Sequence, residues 1–308
     1  MQTVRFGDTG FEASRLGVGL AEVGFELSLD DQQQASNVLN TALDRGINFL
    51  DTAACYDISE ELIGNGVSHR RDEFFLATKA GHITGGYQGG SWTYQTVVDS
   101  VDRSLKRLKT DHLDLVQLHS CDVAVLEAGE VIRALQEARQ AGKTRFIGFS
   151  GDNEAAHWAV DSGIFATLQT SYNIVEQRAR TSGLLEKATA AGMGTVIKRP
   201  IAGGSWAKSS NDSAEMTVRG YDEPYLERAN AMRAMGDIEN EPENGILTSL
   251  GYTLSDPNAN VAIVGTKNQS HMEMNIRQVE QELPIPTSVV AELNMRFEQL
   301  DKDWEQRT

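Results

Sequence analysis

A chain of 308 residues with 40% hydrophobic and 23% charged side chains is an ordinary globular mixture that can support a large core. Its 28 basic and 44 acidic residues leave a net charge of −16, a surface that repels nucleic acid and anionic lipid and makes neither an expected partner. Two cysteines, Cys55 and Cys121, exclude a disulfide framework and point to a reducing compartment.

The amino-terminal MQTVRFGDTG has no basic segment leading into an apolar run. No stretch reaches the roughly 20 apolar residues that span a bilayer, so a soluble, cytoplasmic protein is expected. TVRF (3–6) and EAS (12–14) flank a Gly-Asp-Thr-Gly turn, which predicts a β-hairpin. Short apolar runs then alternate with segments of helical period. Strands are predicted at 15–20 (RLGVGL), 47–51 (INFLD), 74–79 (FFLATK) and 113–119 (LDLVQLH). Four more follow at 145–150 (RFIGFS), 166–171 (ATLQTS), 194–198 (GTVIK) and 260–266 (NVAIVGT). Helical spacing runs over 33–46, 94–108, 123–142 and 182–192. Gly46, Gly142 and Gly192 end three of these, where a helix terminus wants positive φ.

Eight strands separated by helices predict a parallel sheet, and eight units of this length fit a closed (β/α)8 TIM barrel, an α/β fold, better than an open doubly wound sheet. The barrel is expected to be a single domain over residues 1–308, with the hairpin capping its bottom and a helix from Pro284 onward packing outside. Two stretches are too long for tight turns. One is 81–94; the other runs from 203 to about 245 and carries Trp206, Tyr221 and Tyr225. Both follow strand ends and would form long loops over the C-terminal face; connections of this length are usually functional lids or disordered.

Polar residues stand at or just past the strand ends: Asp51, Lys79, His119, Ser150, Gln169 and Lys198. In a barrel these positions converge on one face, where active sites sit. Tyr56, five residues past Asp51, could reach inward. Taken singly each has an ordinary role: Asp51 capping a helix, Lys79 reaching solvent, His119 satisfied in the core, Tyr56 packing. Together they suit carbonyl reduction. Tyr56 can donate a proton to the oxygen as hydride reaches the carbon. Lys79 is expected to lower the phenol pKa, Asp51 to hold Lys79, and His119 to direct the oxygen.

The run DTAACYDISEELIGNGV (51–67), LATK ending at Lys79, and LDLVQLHSCD around His119 resemble the aldo-keto reductase family. The resemblance continues through GKTRFIGFS (142–150), LQTSYN (168–173) and GTKNQSHMEMN (265–275), essentially the whole chain. It implies an NAD(P)H-dependent oxidoreductase acting on a small aldehyde or ketone, with Tyr56 as proton donor and Asp51, Lys79 and His119 as its partners. It places Ser150 and Gln169 at the nicotinamide carboxamide. Gly265, Thr266, Lys267, His271 and Asn275 match the stretch that grips the adenosine phosphate and adenine. From the residues alone, that stretch follows the last strand and opens a helix, where barrels often build phosphate sites.

Three departures from the family stand out. Gly151 replaces an Asn, leaving one carboxamide bond missing or supplied by Asp152 or Asn153. In IKRPIAGG (197–204), Lys198, followed by Arg199, lies near the position where many members stack an aromatic residue on the nicotinamide. His271 replaces an Arg for the 2′-phosphate, with Lys267 as the compensating cation. NADPH is the expected cofactor and NADH the alternative. Other readings are a Lys79 Schiff-base lyase, or a cofactor-binding regulatory or redox-sensing subunit with little turnover, since some family members serve membrane channels. Gly17-Val-Gly19 lacks the third glycine of a dinucleotide loop, Glu22 standing in its place. The six histidines (69, 82, 112, 119, 157 and 271) show no metal-ligand spacing, so no metal is expected.

Overall fold

The computed structural model of the chain describes residues 1–84, 87–209 and 222–305; Tyr221, marked above, lies outside them. The chain opens with β1 (Thr3–Arg5) and β2 (Glu12–Ser14), paired antiparallel as the hairpin. β3 (Leu16–Gly19) leads to α1 (Ala21–Glu26) and α2 (Gln32–Asp44), then β4 (Phe49–Asp51) and α3 (Ser59–Val67). β5 (Phe75–Ala80), α4 (Tyr94–Leu108) and β6 (Leu113–His119) follow, then α5 (Val123–Ala128), α6 (Glu130–Gln140) and β7 (Thr144–Ser150). Next come α7 (Asn153–Asp161), β8 (Thr167–Ser171), α8 (Arg178–Thr181), α9 (Leu184–Ala190) and β9 (Gly194–Lys198). α10 (Ser205–Lys208), α11 (Glu223–Arg233), α12 (Gly245–Ser255), β10 (Val261–Val264), α13 (Gln269–Gln281) and α14 (Thr287–Leu300) complete the order.

The strands close into a parallel barrel in the order β10-β3-β4-β5-β6-β7-β8-β9, with helices around it. Alternate side chains point to opposite faces of each strand, so register decides what the barrel encloses. Phe49, Phe75, Ala77, Leu115, Val196, Val261 and Ile263 form one inner cluster. Leu50, Leu76, Val116, Leu118, Ile147 and Leu168 belong to the outer core with the helices.

Phe49 and Phe75 open β4 and β5, so their rings fill the lower end of the barrel. The hairpin's Phe6 lies 5.3 Å from Phe49 and 5.6 Å from Phe75, and Phe11 lies 4.9 Å from Phe75. Together they plug the bottom. The hairpin reaches this place through Gly7 (φ +52), where a Cβ would run into the backbone of Gly192 to Gly194. The adjacent Asp8 N–H donates to the Gly192 carbonyl at 2.8 Å.

The glycines expected to end helices do so with φ of +82 (Gly46), +75 (Gly142) and +75 (Gly192). Two helical segments differ from expectation. The stretch 123–142 is two helices, because Gly129 (φ +74) ends α5 in a left-handed cap and starts α6. A break of one residue leaves the apolar spacing nearly in phase, so periodicity does not register it. Likewise Gly183 (φ +73) stands just before α9 and sets its start two residues later than the apolar spacing suggests. The stretch from 203 to 245 also differs. Its described part contains α10 and α11, and Trp206 and Tyr225 are buried rather than displayed over the face. The Trp206 indole N–H donates to Glu241 at 2.6 Å, and Arg228 of α11 meets the buried Glu176 at 2.8 Å.

Gly7→Ala should destabilise the fold by about 2–3 kcal/mol, combining left-handed backbone strain with a backbone clash. Urea unfolding should show a lower midpoint at unchanged slope; a midpoint equal to that of the unmutated chain would contradict the close approach at Gly7.

Candidate active site

At the upper end the inward positions turn polar. Asp51 ends β4, and Lys79 of β5 lies level with Gln117 of β6. His119, Ser150 and Gln169 are successive partners across β6, β7 and β8, and Lys198 pairs with Ser171. The turn after β4 is fixed by its backbone. Thr52 and Ala54 donate to Ala77 and Lys79 of β5 at 2.9 and 3.1 Å, and Tyr56 donates to Ala53 at 3.0 Å. Ser59 locks the far side of the turn, its hydroxyl 2.8 Å from that of Thr52 and donating to Leu20 O at 2.9 Å. α1 presses against the same turn, and a Cβ on Gly24 would strike the Tyr56 carbonyl.

Lys79 is only 2% exposed. Its ammonium donates to Asp51 Oδ2 at 2.6 Å and to the Thr52 carbonyl at 2.8 Å. Burial alone would lower its pKa, but Asp51 and then Tyr56 outweigh that, and the group is held above its ordinary value. The other Asp51 oxygen accepts from Gln169 at 2.9 Å and, more distantly, from Gln117 at 3.4 Å. Ser150 donates to Gln169 Oε1 at 2.7 Å, so a chain of bonds runs from Ser150 to Lys79.

The Lys79 ammonium lies 4.8 Å from the Tyr56 ring centre. The half-buried Tyr56 phenol nevertheless sits above its usual pKa. Desolvation pushes it up, Lys79 pulls against that, and Asp51 adds to the rise. The expectation of a lowered phenol pKa is thus reversed, because the cation's influence is smaller than the loss of water. The His119 ring meets Tyr56 edge-on at 5.8 Å. Burial first, then the nearby charges of Lys79, His82, Lys198 and Arg199, hold His119 well below the ordinary histidine range, so the ring is neutral.

The loop at 81–94 does stand over this face in its described part. Trp92 donates from its indole to the His119 carbonyl at 3.0 Å, and its backbone N–H donates to Gly81 O at 2.7 Å. His82 lies 4.7 Å from Trp92 and 4.8 Å from His119, ring to ring. Phe25 of α1, 62% exposed, meets the Tyr56 ring at 5.6 Å. Sequence reasoning singled out none of His82, Trp92, Gln117 and Phe25. Gln117 was within reach, since it lies two residues before His119 on the same strand face.

The residues expected at a cofactor fall into two groups. Lys198 is paired at 2.8 Å with Asp152, whose carboxylate also accepts from Thr170 and from the Ser171 backbone. Asp152 is thereby tied to β8 and β9. Arg199 (φ +58) donates to the Ser171 hydroxyl at 2.9 Å. The second group surrounds the start of α13. Gly265 comes within van der Waals range of β3, where a Cβ would lie 3.1 Å from Gly19 O. Thr266 Oγ1 accepts from the Asn268 backbone at 3.0 Å, and Asn268 caps α13. Lys267 forms an ion pair with Glu26 of α1 at 2.9 Å. His271 is exposed and Asn275 buried. Among the described residues, no group of three or more His, Cys, Asp or Glu could hold a metal ion, and no helix is long and apolar enough to cross a membrane.

Residues 15–295 match the model of the Aldo/keto reductase family. An uncharacterized oxidoreductase of Bacillus subtilis is 29% identical, covering 90% of each chain. The L-galactose dehydrogenase of Arabidopsis thaliana is 27% identical over 89% of this chain and 86% of its own. In fold, the chain is similar to the holo form of an aldo-keto reductase from Bacillus halodurans, with a TM-score of 0.79, 24% identity and 96% of each chain covered.

A neutral, half-buried His119 has a consequence for acid stability. The unfolded chain takes up this proton near pH 6.5, the folded one only at lower pH. The unfolded state therefore binds more protons below about pH 6.5. His119's contribution to stability is complete above that value and is lost as the pH falls toward the folded pKa, by at most about 1.4 kcal/mol per unit. In His119→Gln, the drop in unfolding free energy between about pH 7.5 and 5.5 should shrink by on the order of 1 kcal/mol. An identical drop in both proteins would mean that His119 is not kept neutral by the fold.

Proposed function

The chain belongs to the aldo/keto reductase family, oxidoreductases that interconvert carbonyls and alcohols, and we propose that it reduces a small aldehyde or ketone with NADPH, using Tyr56 as proton donor. In this reading it is a single-domain cytoplasmic enzyme. The observation that carries it is the Lys79 ammonium beside the Tyr56 ring, pinned from below by Asp51.

A reduced nicotinamide, when bound, supplies a hydride to the carbonyl carbon. The protein's own groups handle the oxygen. As negative charge gathers there, the Tyr56 O–H releases its proton to it, giving the alcohol, and the phenolate left behind is stabilised by Lys79. Its raised pKa keeps Tyr56 protonated before the reaction, with the proton held until the oxygen becomes basic. Asp51 keeps Lys79 charged, which also disfavours a Schiff-base role requiring the neutral amine. The neutral His119 donates to the carbonyl oxygen and aims it at Tyr56. Trp92 and His82 screen the centre from water. Tyr56 recovers its proton from solvent.

The residues present fit such a cofactor. Ser150 and Gln169 are buried hydrogen-bonding groups beside Asp51. Gly265 leaves bare backbone beside the amino end of α13, and Lys267 is the cation next to it. The 2′-phosphate would have to draw Lys267 from Glu26, and the surface pair is weak enough to allow that.

Tyr56→Phe should lower carbonyl turnover about 10²–10⁴-fold while dinucleotide affinity stays near normal. Turnover within threefold of the unmutated enzyme would remove Tyr56 as the acid. Fluorescence titration should show tighter binding of NADPH than NADH, with Lys267→Ala weakening NADPH about tenfold or more and NADH far less. Equal affinities before mutation, or equal losses after it, would show that Lys267 does not read the 2′-phosphate.

A further inference from the structure

Cys55 immediately precedes Tyr56, and its sulfur lies 3.4 Å from Nδ1 of His119. We propose that Cys55 is a positioning residue whose thiol donates to His119 Nδ1 and so fixes the tautomer in which Nε2 carries the proton.

A neutral imidazole has one N–H and one bare nitrogen, and which is which depends on the partners of the ring. The hydrogen between Cys55 and His119 can reside on either atom. Both groups are neutral, because burial keeps the thiol protonated and burial with the surrounding cations keeps the ring uncharged. Sulfur accepts hydrogen bonds weakly, whereas a bare imidazole nitrogen accepts them well. S–H to Nδ1 is therefore favoured over N–H to sulfur, and Nε2 keeps its proton. The ring is held in place around this bond by Tyr56 at 5.8 Å and His82 at 4.8 Å. The bonds that set the turn at Tyr56 set Cys55 as well, since Ala54 donates to Lys79 O and Tyr56 to Ala53 O. The inference rests on the reading of His119 as the group that directs the carbonyl oxygen. That task needs a donor, and the opposite tautomer would present a lone pair at Nε2 instead.

The test is long-range ¹H–¹⁵N NMR on the full-length protein labelled in its histidine rings, with His119 assigned by the signals missing from His119→Gln. The unmutated protein should show a protonated Nε2 and a bare Nδ1 at His119. Cys55→Ala should move these shifts toward the other tautomer and lower kcat/KM roughly fivefold to tenfold, the worth of one modest hydrogen bond. Cys55→Ser, whose hydroxyl can donate in the same direction, should restore both. A protonated Nδ1 in the unmutated protein overturns the inference without recourse to any variant. So do unchanged His119 shifts in a folded Cys55→Ala. Shifts that move while turnover stays the same uphold the tautomer assignment and instead overturn the directing role of His119.

Discussion

An ammonium group stripped of nearly all its water is an expensive thing to keep, costing several kcal/mol before compensation, and the upper barrel is arranged around keeping one at Lys79. Asp51 supplies the countercharge. Its second oxygen is occupied by Gln169, which is in turn held by Ser150. The Thr52 carbonyl accepts from another N–H of the ammonium, and it can do so because the turn after β4 is tied to the backbone of β5. Removing one partner would leave the other charge buried alone, which is the costly outcome. The turn that carries Tyr56 is therefore as fixed as the barrel wall it is bonded to.

This polar ring is tolerable because the layers beneath it are not polar. Phe6, Phe49 and Phe75 fill the bottom, and Ala77, Leu115, Val196 and Ile263 lie in the inner cluster above them. The apolar layers supply burial, while the ring above requires desolvated charge and buried hydrogen bonds. The same strands carry both, and the alternation of side chains keeps each on the inner face.

The parts legible in the sequence were those that repeat. All eight barrel strands show as apolar runs, and the hairpin shows in its Gly-Asp-Thr-Gly turn. Asp51, Lys79, His119, Ser150 and Gln169 were visible as a set because each is polar at the upper end of its strand. What stayed hidden depends on distances between segments. Gly129 interrupts a helical pattern without dephasing it. His82 and Trp92 acquire meaning only when the loop at 81–94 folds back onto His119. The Tyr56 phenol moved opposite to expectation because residue types reveal a neighbouring cation but not the extent of desolvation. Glu26 meets Lys267 from a different unit of the barrel, a pairing that no local spacing announces.

The aromatic plug has one more consequence. With Phe6, Phe11, Phe49 and Phe75 packed ring against ring, the barrel is filled at its lower end. Under the proposed function, substrate and product would then share the upper end, so arrival and departure take turns. Traffic there, past exposed side chains such as Phe25 beside Tyr56, would set the pace of repeated cycles wherever the chemistry beneath is fast.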